Sequence, residues 1–130
     1  MAGQKETIEL EYILNTSPGL LYNRISTASG LSEWFANEVN IDGKVFVLKW
    51  EGSEQRVEQT VRKENKLVRY TWVDDEELEG EWFEFRINVD ELTGDVALIV
   101  IDNVDADDKN DLIDIWNRQI ETLKRGLGSI

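Results

Sequence analysis

The sequence predicts an α+β fold in which an antiparallel sheet packs against one long C-terminal helix. The first observation is an amphipathic pattern over residues 105–127, where apolar residues recur at spacings of three and four, as a helix buried by one face requires. The second is that most of residues 39–104 consists of strand-like segments between turn signals. Such segregated elements are typical of α+β proteins. The residues on the apolar helix face are Leu112, Trp116, Ile120, Leu123 and Leu127.

The beginning of the chain predicts one strand and two short helices. Apolar and polar residues alternate over residues 7–14, which indicates a half-buried strand. Ser17 is a good N-cap, and Pro18 suits the first position of a helix that we expect to end near residue 28. Ser29 is a suitable cap for a second short helix. The apolar residues assigned to that helix are Leu31, Trp34 and Phe35.

Residues 39–104 predict a run of about five or six antiparallel strands in meander order, so the sheet has about six or seven strands with the first one. Turn signals separate these strands at residues 42–43, 51–53, 65–66 and 93–94. Residues 74–80 form an acidic loop. The last strand, residues 96–104, is apolar on both faces, so its second face is either covered or available to form a homodimer.

The ends of the C-terminal helix carry complementary charges. Five aspartates lie between residues 102 and 111, and Lys124 and Arg125 lie in the last turn. Clustered carboxylates suit calcium, but the spacing lacks the glycine and glutamate of a calcium loop. We therefore expect these aspartates to cap the helix, with no metal. Gly126 or Gly128 supplies the helix stop.

Composition excludes several classes of protein. The formal net charge is −13, which disfavours nucleic acid and anionic membranes as partners. The absence of His and Cys removes the usual neutral base and the best nucleophile, so we expect no enzyme activity, no catalytic residues and no cofactor. No apolar run spans a membrane. We expect a single cytoplasmic domain over residues 1–130.

Three parts of the chain resemble the START-like, helix-grip superfamily. They are the first helical segment (residues 17–35), the central strands (residues 44–52 with 67–72) and the final helix (residues 115–124). The closest resemblance is to single-domain bacterial homologues of the activator of the heat-shock-protein-90 ATPase. It implies a curved sheet wrapped around the C-terminal helix, often with a cavity between them. Relatives hold lipids, sterols, polyketides or plant hormones there, and a minority are cyclases or hydrolases. A chaperone partner is implied only weakly, because the eukaryotic activator has an additional domain.

The candidate site is this cavity, which we expect to hold a hydrophobic or amphipathic small molecule. Strand alternation places several aromatic residues on the face toward the helix and Trp82 on the opposite face, while core packing remains the alternative explanation for each tryptophan. The resemblance also suggests that Trp34 and Phe35 gate the cavity. The predicted ligand-binding residues are Trp34, Phe35, Trp50, Tyr70, Trp72, Phe85, Trp116 and Ile120.

Two further hypotheses concern charged residues. The six carboxylates within residues 74–81 suggest a protein-interaction module that docks a basic or chaperone-associated partner, although most charge runs are solvated loops. A cavity enzyme is the third hypothesis, and it requires a buried ionisable group facing the cavity. Arg69, Glu84 and Arg86 are expected on the outer face of the sheet, where they pair across strands.

Overall fold

A computed structural model of the protein describes residues 5–128, which form a seven-stranded antiparallel sheet with three α-helices. The strands are β1 (Lys5–Leu14), β2 (Glu38–Asp42), β3 (Val45–Trp50), β4 (Ser53–Lys63), β5 (Leu67–Val73), β6 (Trp82–Val89) and β7 (Val96–Asp105). The helices are α1 (Pro18–Ser26), α2 (Ala28–Leu31) and α3 (Lys109–Leu127). Within this range, no helix has an apolar stretch long enough to cross a bilayer.

The strand order is β1-β7-β6-β5-β4-β3-β2. Strands β2 to β7 are therefore a continuous meander, as predicted, and β1 returns to pair with β7 through residues such as Leu10 opposite Val100. The turns lie where the sequence indicated them, and Gly43 and Asn65 adopt the left-handed backbone conformation that tight turns require. The predicted α+β class and meander are confirmed.

The first helix begins as predicted, but the second does not. The Ser17 hydroxyl accepts a 3.2 Å hydrogen bond from the Leu20 amide. Helix α2 is capped by Thr27, which is extended and accepts from the Gly30 amide at 2.9 Å. The prediction of Ser29 as its cap was wrong, because Thr27 already fills that role. Helix α2 also ends before Trp34, so the prediction that Trp34 and Phe35 lie within it was wrong.

Helix α3 follows a 3-10 turn at Ala106–Asp108 and does not start with the expected cap. Neither Asp105 nor Asp108 makes a side-chain capping hydrogen bond, so the expectation that aspartates cap this helix was wrong for these two positions. Asp111 remains in the first turn, where its charge complements the helix dipole. The end is as predicted, because Gly128 is left-handed and its amide donates to the Arg125 carbonyl.

The core lies between α3 and the inner face of the sheet. Trp116, Ile120 and Leu123 are buried on the helix, while Leu112 and Leu127 at its two ends are partly buried against the same core. The predicted apolar stripe is therefore confirmed. The sheet contributes fully buried side chains from five strands, which are Leu48, Val57, Val68, Tyr70, Phe83, Phe85, Leu98 and Val100.

The outer face of the sheet carries an ion-pair cluster centred on one buried glutamate. Glu84 is only 2% exposed, and it accepts hydrogen bonds from Nε of Arg69 at 2.8 Å and from Nε of Arg86. The Arg69 guanidinium lies 3.9 Å from the ring centroid of Trp82. The Arg69–Glu84 pair confirms the predicted cross-strand pairing, and the Arg69 contact confirms the outward position of Trp82. Arg86 instead pairs with Glu84 along the same strand, so the prediction of cross-strand pairing was wrong for Arg86. The burial of Glu84 was not anticipated.

The second apolar face of β7 is largely covered within the chain. Ala97 and Ile101, which alternate with the core residues Leu98 and Val100, are 5% and 6% exposed. Between them, Ile99 is half-buried. Of the two alternatives predicted for this face, the structure therefore favours a covered face over an exposed apolar surface.

Candidate functional site

The structure brings all eight predicted ligand-binding residues into one core. Six of them are buried there, and Trp50 and Trp72 pack against it while partly exposed. The ring of Phe35 stacks on that of Trp116 with centroids 5.7 Å apart, and Phe85 meets Trp116 edge-on at 5.6 Å. We call the connected rings the aromatic cluster; they belong to Trp34, Phe35, Phe46, Trp50, Tyr70, Trp72, Phe83, Phe85 and Trp116.

Two members of the aromatic cluster, Phe46 and Phe83, were missing from the predicted site. Strand alternation had placed both on the inner face, so the signal was present in the sequence. Phe83 lies at the centre, with its ring centroid 5.3 Å from that of Tyr70 and 5.5 Å from that of Trp72. The rings contact one another directly, and the cluster therefore fills much of the space between sheet and helix.

Hydrogen bonds from indole groups hold the aromatic cluster to its surroundings. Nε1 of Trp34 donates to the Arg24 carbonyl at 2.8 Å, and Nε1 of Trp50 donates to the Phe35 carbonyl at 3.0 Å. The Phe35 carbonyl also accepts from the Gln119 side chain on α3 at 2.9 Å. The segment after α2 is thereby tied to both β3 and α3, which fixes Phe35 in the interior.

Tyr70 anchors the aromatic cluster to α1. Its hydroxyl donates a 2.6 Å hydrogen bond to the Ile25 carbonyl and accepts one from Nε2 of Gln59 at 3.2 Å. The same Gln59 nitrogen donates to the Ser26 carbonyl at 2.9 Å. Because desolvation disfavours the phenolate, burial raises the pKa of Tyr70 well above its ordinary value. Tyr70 is therefore a neutral, structural hydroxyl.

A pocket of about 330 Å³ opens beside Trp72, between the start of α3 and the ends of β5 and β7. We call it the α3 pocket. Its apolar lining comes from Trp72, Leu78, Leu112 and Ile115. Its ionisable lining consists of one ammonium group and five carboxylates, which belong to Lys5, Glu81, Asp102, Asp105, Asp108 and Asp111. Of the eight predicted residues, Trp72 alone is among the residues that line it.

Asp102 joins the α3 pocket to the aromatic cluster. Its Oδ2 accepts a 3.1 Å hydrogen bond from Nε1 of Trp116, and its Oδ1 accepts a 2.7 Å bond from the Asn103 amide. Desolvation by burial is the largest influence on this carboxyl and raises its pKa to about 6, although both hydrogen bonds act in the opposite direction. Sequence reasoning missed Asp102 as a site residue. The available signal was a carboxylate directly after the apolar run of residues 96–101.

A comparison with protein families agrees with this fold. The family model for the START-like superfamily domain matches residues 1–129. The chain belongs to the START-like superfamily. The resemblance noted in the sequence is thus confirmed over nearly the whole chain.

Solved structures of other proteins share this architecture. A protein from Bacteroides fragilis, solved by solution NMR, is 35% identical over 95% of this chain and 92% of its own, with a TM-score of 0.68. The Aha1 dimer from Colwellia psychrerythraea has a TM-score of 0.80 at 18% identity, covering 94% of this chain and 96% of its own. A protein from Mesorhizobium loti has a TM-score of 0.71 at 18% identity, covering 92% and 95% respectively. Comparison with curated proteins finds no match.

The α3 pocket of this START-like domain combines an apolar wall with Asp102, a carboxylate whose pKa is raised by burial. Such a combination suits non-covalent binding, in which the wall takes hydrocarbon and the carboxylate orients a polar group. Asp102 is the residue that best meets the requirement of the cavity-enzyme hypothesis, because burial raises its pKa to about 6. Among residues 5–128, no group of three or more potential ligands is arranged to hold a metal ion.

Proposed function

We propose that this START-like domain binds a small apolar or amphipathic molecule between the sheet and α3, in the α3 pocket. The observation that carries the proposal is that Trp72 connects this pocket to the aromatic cluster. Its side chain lines the pocket, and its ring centroid lies 5.5 Å from that of Phe83. A pocket of about 330 Å³ is within the size range of small-molecule sites. Leu112 and Ile115 of α3 supply the opposite apolar wall.

The packing of the aromatic rings favours binding in the α3 pocket over binding deeper within the aromatic cluster. An occupant among Phe35, Phe85 and Trp116 would have to separate rings that already touch. Separating packed rings sacrifices their contacts, whereas the α3 pocket accepts a ligand without such a displacement. The gating role of Trp34 and Phe35 remains a prediction.

The charge of the α3 pocket favours a ligand head group that donates hydrogen bonds or carries positive charge. Lys5, its one cationic lining residue, already pairs with Glu81 at 3.6 Å and with Asp105 at 3.8 Å. Asp102 forms no ion pair within residues 5–128. A cationic head group near Asp102 would therefore compensate a carboxylate that burial now destabilises.

We infer binding in preference to catalysis. A lone carboxylate can act as an acid or a base, but the chain has no His or Cys to serve as the second group of a common catalytic pair. The contacts of Asp102 with Trp116 and the Asn103 amide position it as a fixed acceptor. That role is the one expected of a group that orients a ligand.

Isothermal titration with decyltrimethylammonium tests the proposal. Replacing Ile115 with Asn puts a polar group in the apolar wall at a position that is 46% exposed, so folding is preserved. We expect the Ile115→Asn substitution to weaken binding by roughly tenfold. The control is Leu92→Asn, which alters a 96% exposed leucine outside this lining and should leave the affinity unchanged. Equal affinities for both variants would argue against the site.

Self-association is a second property to test. The neighbour from Colwellia psychrerythraea is described as a dimer, which supports the homodimer hypothesis for this chain. Analytical ultracentrifugation across a concentration series gives the oligomeric state directly. A single monomeric species throughout would remove that hypothesis and leave the proposed binding unaffected.

A further inference from the structure

A second pocket of about 330 Å³ lies between the α1–α2 junction, the β2–β3 hairpin and β4. We call it the hairpin pocket. Its lining shares no residue with that of the α3 pocket. Apolar side chains of Ala28, Ile41 and Phe46 contribute to its surface. The site is therefore separate from the one proposed above.

The charged residues that line the hairpin pocket are both cations, Lys44 and Arg62. This is unusual in a chain that has 27 acidic residues against 14 basic ones. Neither cation forms an ion pair within the described residues 5–128, whereas other cations such as Lys49 and Arg56 pair with nearby carboxylates. The hairpin pocket is thus lined by two cations that make no ion pair with the described part of the chain, so both are available to an anion.

Arg62 is held in place by α1. Its Nε donates a 3.0 Å hydrogen bond to the hydroxyl of Tyr22, and its guanidinium carbon lies 6.0 Å from the centroid of that ring. Tyr22 is buried, so it is a firm support. Because Nε is occupied, the terminal nitrogens of Arg62 are the donors that an incoming anion can use.

The apolar part of the hairpin pocket has a buried floor and an exposed edge. Phe46 is 7% exposed, and its ring meets Tyr70 edge-on at 5.5 Å. Ile41 lies on the edge strand β2 and is 57% exposed, although it is a large apolar side chain. Gln59 forms a fixed wall, since its amide already donates to Ser26 and Tyr70. A hydrocarbon chain on this surface would cover Ile41 and rest against Phe46.

We propose that the hairpin pocket binds a small aliphatic carboxylate, with its chain against Ile41 and Phe46 and its carboxylate between Lys44 and Arg62. The two cations favour a negatively charged head group, and the exposed side chain of Ile41 favours a hydrocarbon chain. The proposal does not depend on a ligand in the α3 pocket, which has the opposite charge.

Titration of the protein with decanoate, followed calorimetrically, tests this assignment. We expect Lys44→Gln and Arg62→Gln each to weaken decanoate binding by roughly tenfold. Lys44→Gln is the safer variant, because Arg62 also contacts Tyr22 and its loss can disturb α1. The matched control is Lys63→Gln, which removes an exposed cation that does not line the pocket and should change little.

Two further arms separate this proposal from the proposed function. Decanol, which lacks the charge, should bind at least roughly tenfold more weakly than decanoate, and Ile115→Asn should leave decanoate binding intact. Decyltrimethylammonium binding should in turn be unaffected by Lys44→Gln. The proposal is overturned if decanoate does not bind, if it binds Lys44→Gln as tightly as the original chain, or if Ile115→Asn abolishes its binding.

Discussion

Nε1 of Trp116 donates a 3.1 Å hydrogen bond to Oδ2 of Asp102, and this contact links the buried face of α3 to the end of β7. On one side of it, Trp116 stacks on Phe35 within the aromatic cluster. On the other side, Asp102 lines the α3 pocket. A charge or ligand that acts on Asp102 is therefore one hydrogen bond away from Trp116, a buried ring of the aromatic cluster.

The ionisation of Asp102 should make stability depend on pH in a defined direction. Its pKa is about 6 in the folded chain and 3.8 ordinarily, so the folded state binds the extra proton between these values. Protonation of Asp102 therefore favours the folded state. This stabilisation is fully present below the ordinary pKa and is lost as pH rises through about 6. Between about pH 5 and pH 7.5, the free energy of unfolding should fall by roughly 1 kcal/mol because of this group.

Urea denaturation of the original chain and of Asp102→Asn at both pH values measures that contribution. The asparagine does not titrate, so the variant should gain roughly 1 kcal/mol relative to the original chain on going to the higher pH. Parallel pH profiles for the two proteins would show that Asp102 has an ordinary pKa.

Tyr70→Phe should destabilise the protein by about 1–3 kcal/mol, because it leaves the buried Ile25 carbonyl without the hydroxyl that donates to it at 2.6 Å. Tyr12 provides the matched control, since its hydroxyl donates to Asn117 at 2.7 Å in an exposed setting. Tyr12→Phe should cost less than about 1 kcal/mol in the same urea titration. Equal losses would contradict the anchoring role of Tyr70.

Gly30→Ala should destabilise the protein by about 3 kcal/mol through steric overlap. A Cβ at Gly30 would lie 2.2 Å from the Asn23 carbonyl oxygen and 2.7 Å from Cα of Arg24, both backbone atoms that cannot rotate away. Gly126 in α3 has no atom within 4 Å of the same position, so Gly126→Ala should stabilise by about 0.5 kcal/mol. Thermal unfolding of both variants tests this difference in sign.

Glu84→Ala should cost about 2 kcal/mol, since it removes the buried acceptor of charge-assisted hydrogen bonds from the partly exposed Arg69 and Arg86. The comparison is Glu121→Ala, which removes a partner of Lys124 at 3.8 Å on the surface of α3 and should cost less than about 0.5 kcal/mol. Chemical denaturation gives both values. A cost at Glu84 as small as that at Glu121 would show that its burial carries no net stabilisation.

Much of the fold was predictable because periodicity reports burial directly. The stripe of α3 and the alternation in β6 each place buried residues correctly, including Trp116 and Phe85. The site was less predictable, because pockets depend on how elements meet in three dimensions. Alternation placed Trp72 on the inner face, but it could not show that Trp72 lies at the margin of the core beside Asp102.

The errors in the sequence predictions have local physical causes. Thr27 and Ser29 are both acceptable caps, and the backbone begins α2 at Ala28, which places the Thr27 side chain at the Gly30 amide. The aspartates before α3 have suitable side chains for capping, but the chain enters through a 3-10 turn that changes their geometry. In both cases the local backbone path decided between residues of similar capping ability.

The central claim, that the α3 pocket beside Trp72 binds a small molecule, is tested most directly by NMR of the five tryptophan indoles. During titration with decyltrimethylammonium, the indole signals of Trp72 and Trp116 should shift together with one saturating dissociation constant. The signal of Trp82, which lies on the outer face beside Arg69, should not move. A spectrum in which neither Trp72 nor Trp116 shifts, or in which Trp82 shifts equally, would contradict the claim.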